Sequence, residues 1–394
     1  MAYVLGTVIS VLLMAFMSRT EVREDNKMTR VLRRLPAMIP LFLLSALRWD
    51  VGTDTWHTYT PEYFAMMSES RELTEKERQI LIEDYRLYNR SNPEVEITEE
   101  NAMDFYSETY KHTAPGFQAL ERLLIAMNAD VQWLYVVTSL ISLTFVFAAI
   151  ALQSENPVLS CLFFVITSTY FLSMNVVSQF MAISICLFAC VFAEKRQPVL
   201  FFLFVLLAAA FHVTAIVFLP VYFLPRLKVW PLACAVVVLL TFFLAPLLVP
   251  LMEKLVHLLV PKYAFYLGSY LEFETIFFAL GIAVFALGTY YWKVGESKPY
   301  YRLWYYCNVL GMLSLCFSPY LPSMKRINYY FAAPHFLFLP LVVSCEENFK
   351  RRRILEIVLV LLFIAETFVA VWLLNKNEVL PYRMSFGAEY VSVP

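Results

Sequence analysis

Hydrophobic residues occur in roughly a dozen long runs, separated by short polar segments and by one long charged segment. Runs of this length with few charges are typical of helices that cross a bilayer. The predicted spans are 2–17, 35–48, 131–151, 157–173, 177–193, 198–211, 213–224, 231–250, 275–292, 302–318, 327–344 and 354–374. The sequence therefore predicts an all-α, polytopic helical membrane protein with about 11–13 transmembrane helices, forming a single membrane domain over 1–394.

The two shortest runs, 198–211 and 213–224, flank His212. At about 1.5 Å per residue neither would cross the bilayer alone as an α-helix. They are predicted to form either two half-helices or one long helix. The first run, 2–17, lacks a basic leader and a small-residue cleavage site, so we expect a retained span rather than a signal peptide.

Lysine and arginine collect in alternate loops. One set of loops holds Arg19, Arg23, Lys27, Arg30, Arg33, Arg34, Lys195, Arg196, Arg226, Lys228, Lys293, Lys298, Arg302, Lys350, Arg351, Arg352 and Arg353. Short basic loops remain in the cytoplasm, so this set predicts the cytoplasmic side of the membrane. The other side, which includes His212 and the turn at 319–326, is predicted to be extracytoplasmic.

The long charged segment, 48–117, belongs to the extracytoplasmic side. It carries 15 acidic residues against seven lysines and arginines. Helical spacing of charged and apolar residues predicts one helix within 68–88 and a second at 101–110, with Asn101 as a possible N-cap. We expect a solvated, partly helical cap over the membrane domain.

Composition excludes several functions. The formal net charge is −1, and no basic aqueous domain is present, so nucleic-acid binding is not expected. The seven cysteines all lie in or beside apolar runs, without the spacing of a metal site. Neither disulfides, structural zinc nor any other cofactor is expected.

Five polar residues are predicted to meet at the extracytoplasmic ends of different helices: Arg48, Asp54, His212, Lys325 and Arg326. Guanidinium groups bind phosphate oxygens in a bidentate way, so Arg48 and Arg326 suit a diphosphate-bearing lipid. Asp54 could accept a proton from an attacking hydroxyl, and His212 could act as a base or orient a phosphate.

Each candidate also has a structural interpretation. An arginine at a helix end commonly extends to lipid headgroups, and a histidine among apolar residues is commonly an interior hydrogen-bonding group. Asp54 follows Gly52 and Thr53, which is typical of a turn or a helix cap. Glu366, an acid within an otherwise apolar run, either faces a cavity or pairs with an arginine to fix helix packing.

Five short motifs follow one another on the predicted extracytoplasmic side. They are Arg48-x3-Gly52-x-Asp54-x4-Tyr59, Pro115-Gly116-Phe117, Asn175-x3-Gln179-x2-Ala182, Phe211-His212 and Pro381-Tyr382. In this order they resemble the EpsG family of Wzy-like exopolysaccharide and O-antigen polymerases, and the likeness runs from about residue 40 to the tail. Each motif alone is loose, and the combination carries the resemblance.

The resemblance implies a multi-spanning bacterial glycosyltransferase. Such enzymes polymerise oligosaccharide repeat units carried on undecaprenyl diphosphate at the outer face of the cytoplasmic membrane, by metal-independent inverting transfer. By likeness, Arg48, Asp54, His212 and Arg326 are the functional positions, with Gln179 as a weaker substrate contact. The implied partners are a lipid-linked donor and acceptor, membrane lipid, and a chain-length regulator and a flippase of the same pathway.

The chain departs from the family pattern at two positions. Family members carry an acid before the Pro-Gly-Phe motif and an arginine before the glutamine, whereas this chain has Ala114 and Ser178. If the two residues form an ion pair in relatives, losing both is tolerable, because no charge is stranded. If instead the arginine binds diphosphate, Arg122, Lys325 or Arg326 must substitute for it.

Two other functions remain open. A lipid-linked glycan flippase or exporter would also need basic residues in a cavity, but it must expose them to both faces, and Glu366 is the only polar residue predicted near the middle of the cavity. An O-antigen-type ligase or a membrane acyltransferase would not lengthen a glycan on its lipid carrier.

Overall fold

The computed structural model describes residues 1–20, 26–92, 94–259, 274–321 and 323–384, and every regular element in these ranges is helical. The α-helices are α1 Ala2–Arg19, α2 Lys27–Arg34, α3 Ile39–Ala46, α4 Thr60–Met67, α5 Glu75–Tyr88, α6 Glu99–Lys111, α7 Pro115–Ala126, α8 Val131–Gln153, α9 Pro157–Ile166, α10 Thr169–Asn175, α11 Val177–Glu194, α12 Pro198–Phe211, α13 Pro231–Leu259, α14 Thr275–Tyr290, α15 Trp292–Gly295, α16 Tyr301–Phe317, α17 Ser323–Ala332, α18 His335–Val343 and α19 Phe349–Thr367. The 3-10 helices are Leu35–Met38 and Val213–Arg226, and π-helical turns occupy Thr55–Tyr59 and Phe368–Leu373.

The prediction of an all-helical, multi-pass membrane protein is confirmed. Within the described ranges, five helices (α1, α8, α11, α13 and α19) are long and apolar enough to cross a bilayer, and α9 with α10, bent by 54°, adds a sixth. This count is below the predicted 11–13 because several apolar runs fold as shorter or interrupted helices. The run 35–48 divides into a 3-10 helix and α3, and the run 327–344 is interrupted between α17 and α18.

The region around His212 forms two helices rather than one. The backbone at His212 is extended (φ −153°, ψ 113°) between α12 and the 3-10 helix Val213–Arg226. The rings of Phe201 and Phe202 lie 5.4 and 5.3 Å from that of Tyr222, so the two helices are antiparallel. At a rise of about 2.0 Å per residue, a 3-10 helix of this length extends about 28 Å. His212 therefore lies at the tip of a helical hairpin.

Two of the arginines predicted to be cytoplasmic, Arg34 and Arg226, lie at the end of the α12 hairpin opposite His212. Arg34 donates to the Ala151 carbonyl at 3.0 Å, and Arg226 donates to the Ala193 carbonyl at 3.1 Å. Arg23, in the same predicted set, lies outside the described residues. The assignment of this end to the cytoplasm stays a prediction.

The cap contains the two predicted helices, α5 and α6. A reciprocal pair of hydrogen bonds between Thr74 and Glu77 begins α5. The expected cap of α6 was wrong: Thr98, not Asn101, has the extended backbone of an N-cap, and its hydroxyl accepts from the Asn101 N–H at 3.1 Å. The Asn101 side chain donates instead to the Glu96 carbonyl, at 2.9 Å.

Helix α11 forms the centre of the membrane domain. It packs between α8 and α12, and almost all its residues are buried. Its first turn carries Ser178 and Gln179, which bear on the site described next.

Candidate functional site

The site begins where the segment after Gly52, the first turn of α11 and the hairpin tip meet. The Tyr59 hydroxyl donates to Ser178 Oγ at 3.1 Å, and the Ser178 N–H donates to the Tyr59 oxygen, also at 3.1 Å. Ser178 Oγ lies 3.2 Å from Nδ1 of His212. One serine hydroxyl therefore joins Tyr59 to His212.

A sharp backbone turn brings Asp54 to the same place. Gly52 has φ +94°, and a Cβ there would lie 2.5 Å from the Met174 carbonyl oxygen. Thr55 Oγ1 donates to that carbonyl at 3.1 Å, and the Asp54 N–H donates to Asn175 Oδ1 at 2.9 Å. The requirement for glycine at position 52 follows from the positive φ and from this close approach to α10.

Arg326 faces Asp54 across the site. The Gln179 side-chain amide donates to the Arg326 carbonyl at 2.7 Å and fixes the start of α17 against α11. Burial raises the pKa of Asp54, whereas the positive charges of Arg326 and His57 oppose this increase. The carboxyl group of Asp54 is therefore mostly enclosed and lies within electrostatic reach of a guanidinium group.

A polar chamber of about 400 Å³ lies next to the turn that carries Asp54. Asn175, which accepts from the Asp54 N–H, lines the chamber together with Lys325 and Tyr329, whereas Asp54 and Arg326 do not line it. Tyr329 lies within electrostatic reach of both Arg326 and Asp54. The site and the chamber are therefore neighbours that meet at Asn175 and Lys325.

The deep part of the chamber is more polar than the sequence predicted. His335 Nε2 lies 2.8 Å from Asn308 Oδ1, and the Asn308 amide donates to the Gly281 carbonyl at 2.9 Å. Asn328 donates to the Gly311 carbonyl at 3.0 Å. Asn308, Asn328 and His335 all line the chamber, so the expectation that Glu366 is alone there was wrong. In the sequence, these residues are single polar positions within apolar runs, a pattern that indicates side chains facing a cavity.

Glu366 does face the chamber. Its carboxylate accepts from the hydroxyls of Ser168 and Thr367, at 3.1 and 3.3 Å. Ser168 has φ +59° and interrupts the predicted span 157–173 at the 54° bend. Non-helical backbone at membrane depth is tolerated where it lines a cavity, so the break in the helix at Ser168 can be accommodated beside the chamber.

An apolar groove of about 270 Å³ lies between α14 and the end of α19. Ile276 and Leu362 in its lining are 46% and 42% exposed on the outer surface of the bundle, where lipid is expected. Phe277, Leu280 and Glu366 line both the groove and the chamber. The groove and the chamber therefore share a wall, and the groove lies on its lipid-facing side.

Arg48 lies outside this group. It is fully buried: Nη1 donates to Ser45 Oγ at 3.1 Å and to Ser139 Oγ at 3.3 Å, and the guanidinium lies 4.8 Å from the Tyr135 ring centroid. None of these residues lines the chamber. This enclosure agrees with a structural role better than with the predicted contact to diphosphate, because a headgroup has no path to the side chain.

The other predicted cations differ in position. Lys325 lines the chamber and forms an ion pair with Glu274. Arg122 lies on α7 beside Tyr110 at the base of the cap, and it does not line the chamber. Arg326 and Lys325 are thus the predicted cations closest to Asp54 and the chamber.

Two buried acids under the cap were not predicted. Glu62 on α4 accepts from the Thr113 hydroxyl at 3.5 Å, and burial raises its pKa to about 8. Glu121 on α7 is fully buried, its carboxylate oxygens have no hydrogen-bond partner, and burial raises its pKa well above the usual range. Burial therefore favours the protonated form of both carboxyl groups. Sequence spacing gave no indication that these two acids are near each other.

Comparisons with known proteins place the chain in a family. No curated protein and no solved structure matches it. The EpsG family profile matches residues 34–384, which includes the Asp54 turn, the hairpin tip and the chamber. The protein therefore belongs to the EpsG family of membrane proteins implicated in exopolysaccharide synthesis.

Proposed function

We propose that this protein polymerises oligosaccharide repeat units carried on undecaprenyl diphosphate, at the outer face of the bacterial cytoplasmic membrane. The observation that carries the proposal is the proximity of Asp54 and Arg326 to a polar chamber that shares a wall with an apolar groove on the outer surface of the bundle. A lipid-linked substrate needs both a polar site for its headgroup and an apolar path for its chain.

Arg326 and Lys325 bind the diphosphate of the donor. Guanidinium and ammonium groups offset the charge that develops on the departing diphosphate, which is usually the largest catalytic contribution in such a transfer. The polyprenyl chain lies in the groove between α14 and α19, since this groove is apolar, has exposed side chains in its lining and shares a wall with the chamber. Gln179 holds the backbone at Arg326 and so positions the guanidinium.

Asp54 acts as the general base. The acceptor hydroxyl oxygen forms a bond to the anomeric carbon, and the bond from that carbon to the diphosphate oxygen breaks, its electron pair leaving with the diphosphate. The hydroxyl proton passes to the Asp54 carboxylate. Attack from the face opposite the diphosphate inverts the anomeric centre. A positioned base contributes about a hundredfold to ten-thousandfold in rate. His212, joined through Ser178 to Tyr59, orients this side of the site.

The test is polymerisation by the purified protein of an authentic lipid-linked repeat unit, followed as a ladder on a gel. Arg326→Ala is expected to lower the rate about a hundredfold or more, because the leaving diphosphate loses its guanidinium partner. Arg353→Ala is the matched control, since this exposed arginine lies at the opposite end of the bundle and pairs with Glu356 at 3.1 Å. A ladder of native intensity from Arg326→Ala would reject the site.

Transport of the lipid-linked glycan is the second candidate. The observation that favours it is the polar lining deep in the chamber, where Asn308, Asn328 and His335 lie. A transporter would move a fluorescent lipid-linked glycan across proteoliposomes and yield no ladder with any donor. The polymerase yields a ladder in detergent, where no membrane separates two compartments.

A further inference from the structure

The cap holds a histidine that lies close to Asp54. His57 is on the π-helical turn Thr55–Tyr59, and its Nδ1 donates to Oδ1 of Asp84 on α5. Oδ2 of Asp84 accepts from the Tyr106 hydroxyl on α6. The Asp84 side chain is 2% exposed, whereas that of His57 is 42% exposed. Both cap helices therefore contribute to fixing the orientation of a partly open imidazole.

The groups around His57 are mostly acidic. Asp50, Glu378 and Asp84 act on the imidazole, and Asp50 is itself paired with Arg383. The hydrogen bond to Asp84 raises the pKa of His57, although partial burial opposes this. The charge of His57 acts in turn on Asp54, where it favours the ionised carboxylate together with Arg326.

A histidine–carboxylate hydrogen bond can serve only to hold one helical segment against another. In that case the contact between His57 and Asp84 would stabilise the fold and leave the titration of Asp54 unchanged. The position of His57, three residues after Asp54 and beside the same cluster of charges, indicates a second effect. Because a carboxylate must be ionised to accept a proton, a neighbouring positive charge increases the fraction of Asp54 that can act as a base at acidic pH.

We propose that His57 is a positioning residue for glycosyl transfer: Asp84 and Tyr106 hold its imidazole on the helical turn that begins at Asp54, the proposed base. This inference rests on the proposed function. Asp84 and Tyr106 belong to the cap, so docking of α5 and α6 on the membrane domain completes the electrostatic environment of the base. The cap is then part of the catalytic apparatus and not only a cover.

The test is the pH dependence of polymerisation. His57→Gln removes the positive charge, so the pKa of Asp54 rises and the acidic limb of the rate profile moves to higher pH, by about half a unit to one unit. Asp84→Asn is expected to act in the same direction, because His57 loses the partner that keeps it protonated. Glu83→Gln is the matched control. Glu83 precedes Asp84 on α5, but it pairs with exposed Arg86 at 2.6 Å.

A second measurement follows the protonation of Asp54 without any turnover. Hydrophobic carbodiimides react with protonated carboxyl groups, and labelling at Asp54 can be quantified by mass spectrometry over a pH series. His57→Gln and Asp84→Asn are expected to extend this labelling to higher pH, whereas Glu83→Gln keeps the native profile. Unchanged labelling in both variants overturns the inference even if the native protein polymerises. Shifted labelling without any ladder contradicts the proposed polymerase but retains the link between His57 and Asp54.

Discussion

At the scale of single residues, the hydroxyl of Ser178 has the most consequential position. It lies on the first turn of α11, is 6% exposed, and hydrogen bonds to both Tyr59 and His212. The resemblance to the family pattern implies an arginine at this position. With a small neutral hydroxyl there, the guanidinium whose charge acts on Asp54 is that of Arg326.

Ser178→Ala tests the importance of this hydroxyl. The substitution leaves the buried Tyr59 hydroxyl without its acceptor, at a cost of about 1–3 kcal/mol, and it disconnects Tyr59 from His212. Polymerisation is expected to fall about tenfold. Ser184→Ala is the control, because Ser184 is equally enclosed on α11 but donates only to the Met181 carbonyl of its own helix, at 2.7 Å. Equal losses in the two variants would contradict a specific role for Ser178.

Restoring the family residues tests whether positions 114 and 178 form a pair. Tyr59 separates the two regions: its hydroxyl contacts Ser178, and its ring centroid lies 5.4 Å from that of Phe117, close to Ala114. Ala114→Glu or Ser178→Arg alone buries an unpaired charge and is expected to lower the free energy of unfolding by about 3–5 kcal/mol. The double variant is expected to recover about 1 kcal/mol or more of that loss.

The measurement is a double-mutant cycle of thermal unfolding in detergent. Additive destabilisation would show that the two positions do not interact. In that case the arginine of relatives has a function other than pairing, and Ser178→Arg should be assayed for altered diphosphate binding.

At the scale of the elements, helix ends and interruptions create the site. The break at Ser168 exposes hydroxyls to the chamber, and the extended backbone at His212 places an imidazole at a hairpin tip. Close contact of α7 with the end of α12 supports that tip: a Cβ on Gly116 would lie 2.7 Å from the Ala210 carbonyl oxygen. The backbone position of His212 therefore depends on close packing by α7, where Gly116 has no side chain at the contact.

Gly116→Ala tests this packing. The added methyl meets backbone atoms, which can move only with the helix, so destabilisation of about 1–3 kcal/mol and a lower unfolding temperature are expected. Gly6→Ala is the control, because its Cβ would meet the flexible end of Leu44 at 2.5 Å and other atoms only from 3.6 Å. A stability loss as large for Gly6→Ala as for Gly116→Ala would contradict the argument.

At the scale of the whole molecule, a polar chamber and an apolar groove lie side by side and share a wall. The groove is lined almost entirely by apolar side chains from α14 and α19, whereas the chamber combines Lys325, Glu366 and several amides. A lipid-linked substrate matches this combination, because its polar headgroup suits the chamber and its apolar chain suits the groove.

Leu362→Trp tests whether the polyprenyl chain uses the groove. The larger ring narrows the groove, so the KM for a long-chain donor is expected to rise about tenfold, equivalent to about 1.4 kcal/mol of binding free energy. A donor with a short lipid should be affected much less. Leu361→Trp is the control, since Leu361 is 60% exposed and does not line the groove. Equal effects of the two substitutions, or equal effects on both donors, would exclude the groove as the lipid path.

The sequence by itself determined the membrane class and the two cap helices, and it predicted the end of the bundle at which Arg34 and Arg226 lie. These features depend on local properties, namely the length of apolar runs, helical spacing and loop charge, which any stretch of chain displays without its neighbours. The order of short motifs also identified the family, and the family profile over residues 34–384 agrees with it.

Only the tertiary structure decided which polar residues meet. Arg48 and Arg326 were equivalent in the sequence, yet Arg48 is enclosed by Ser45, Ser139 and Tyr135, whereas Arg326 faces Asp54. Likewise, His57 acquires its partner from a helix about 27 residues away. The physical reason is that an apolar run shows that a helix is in the membrane but not which of its faces meets a cavity, because that depends on packing against helices distant in the chain.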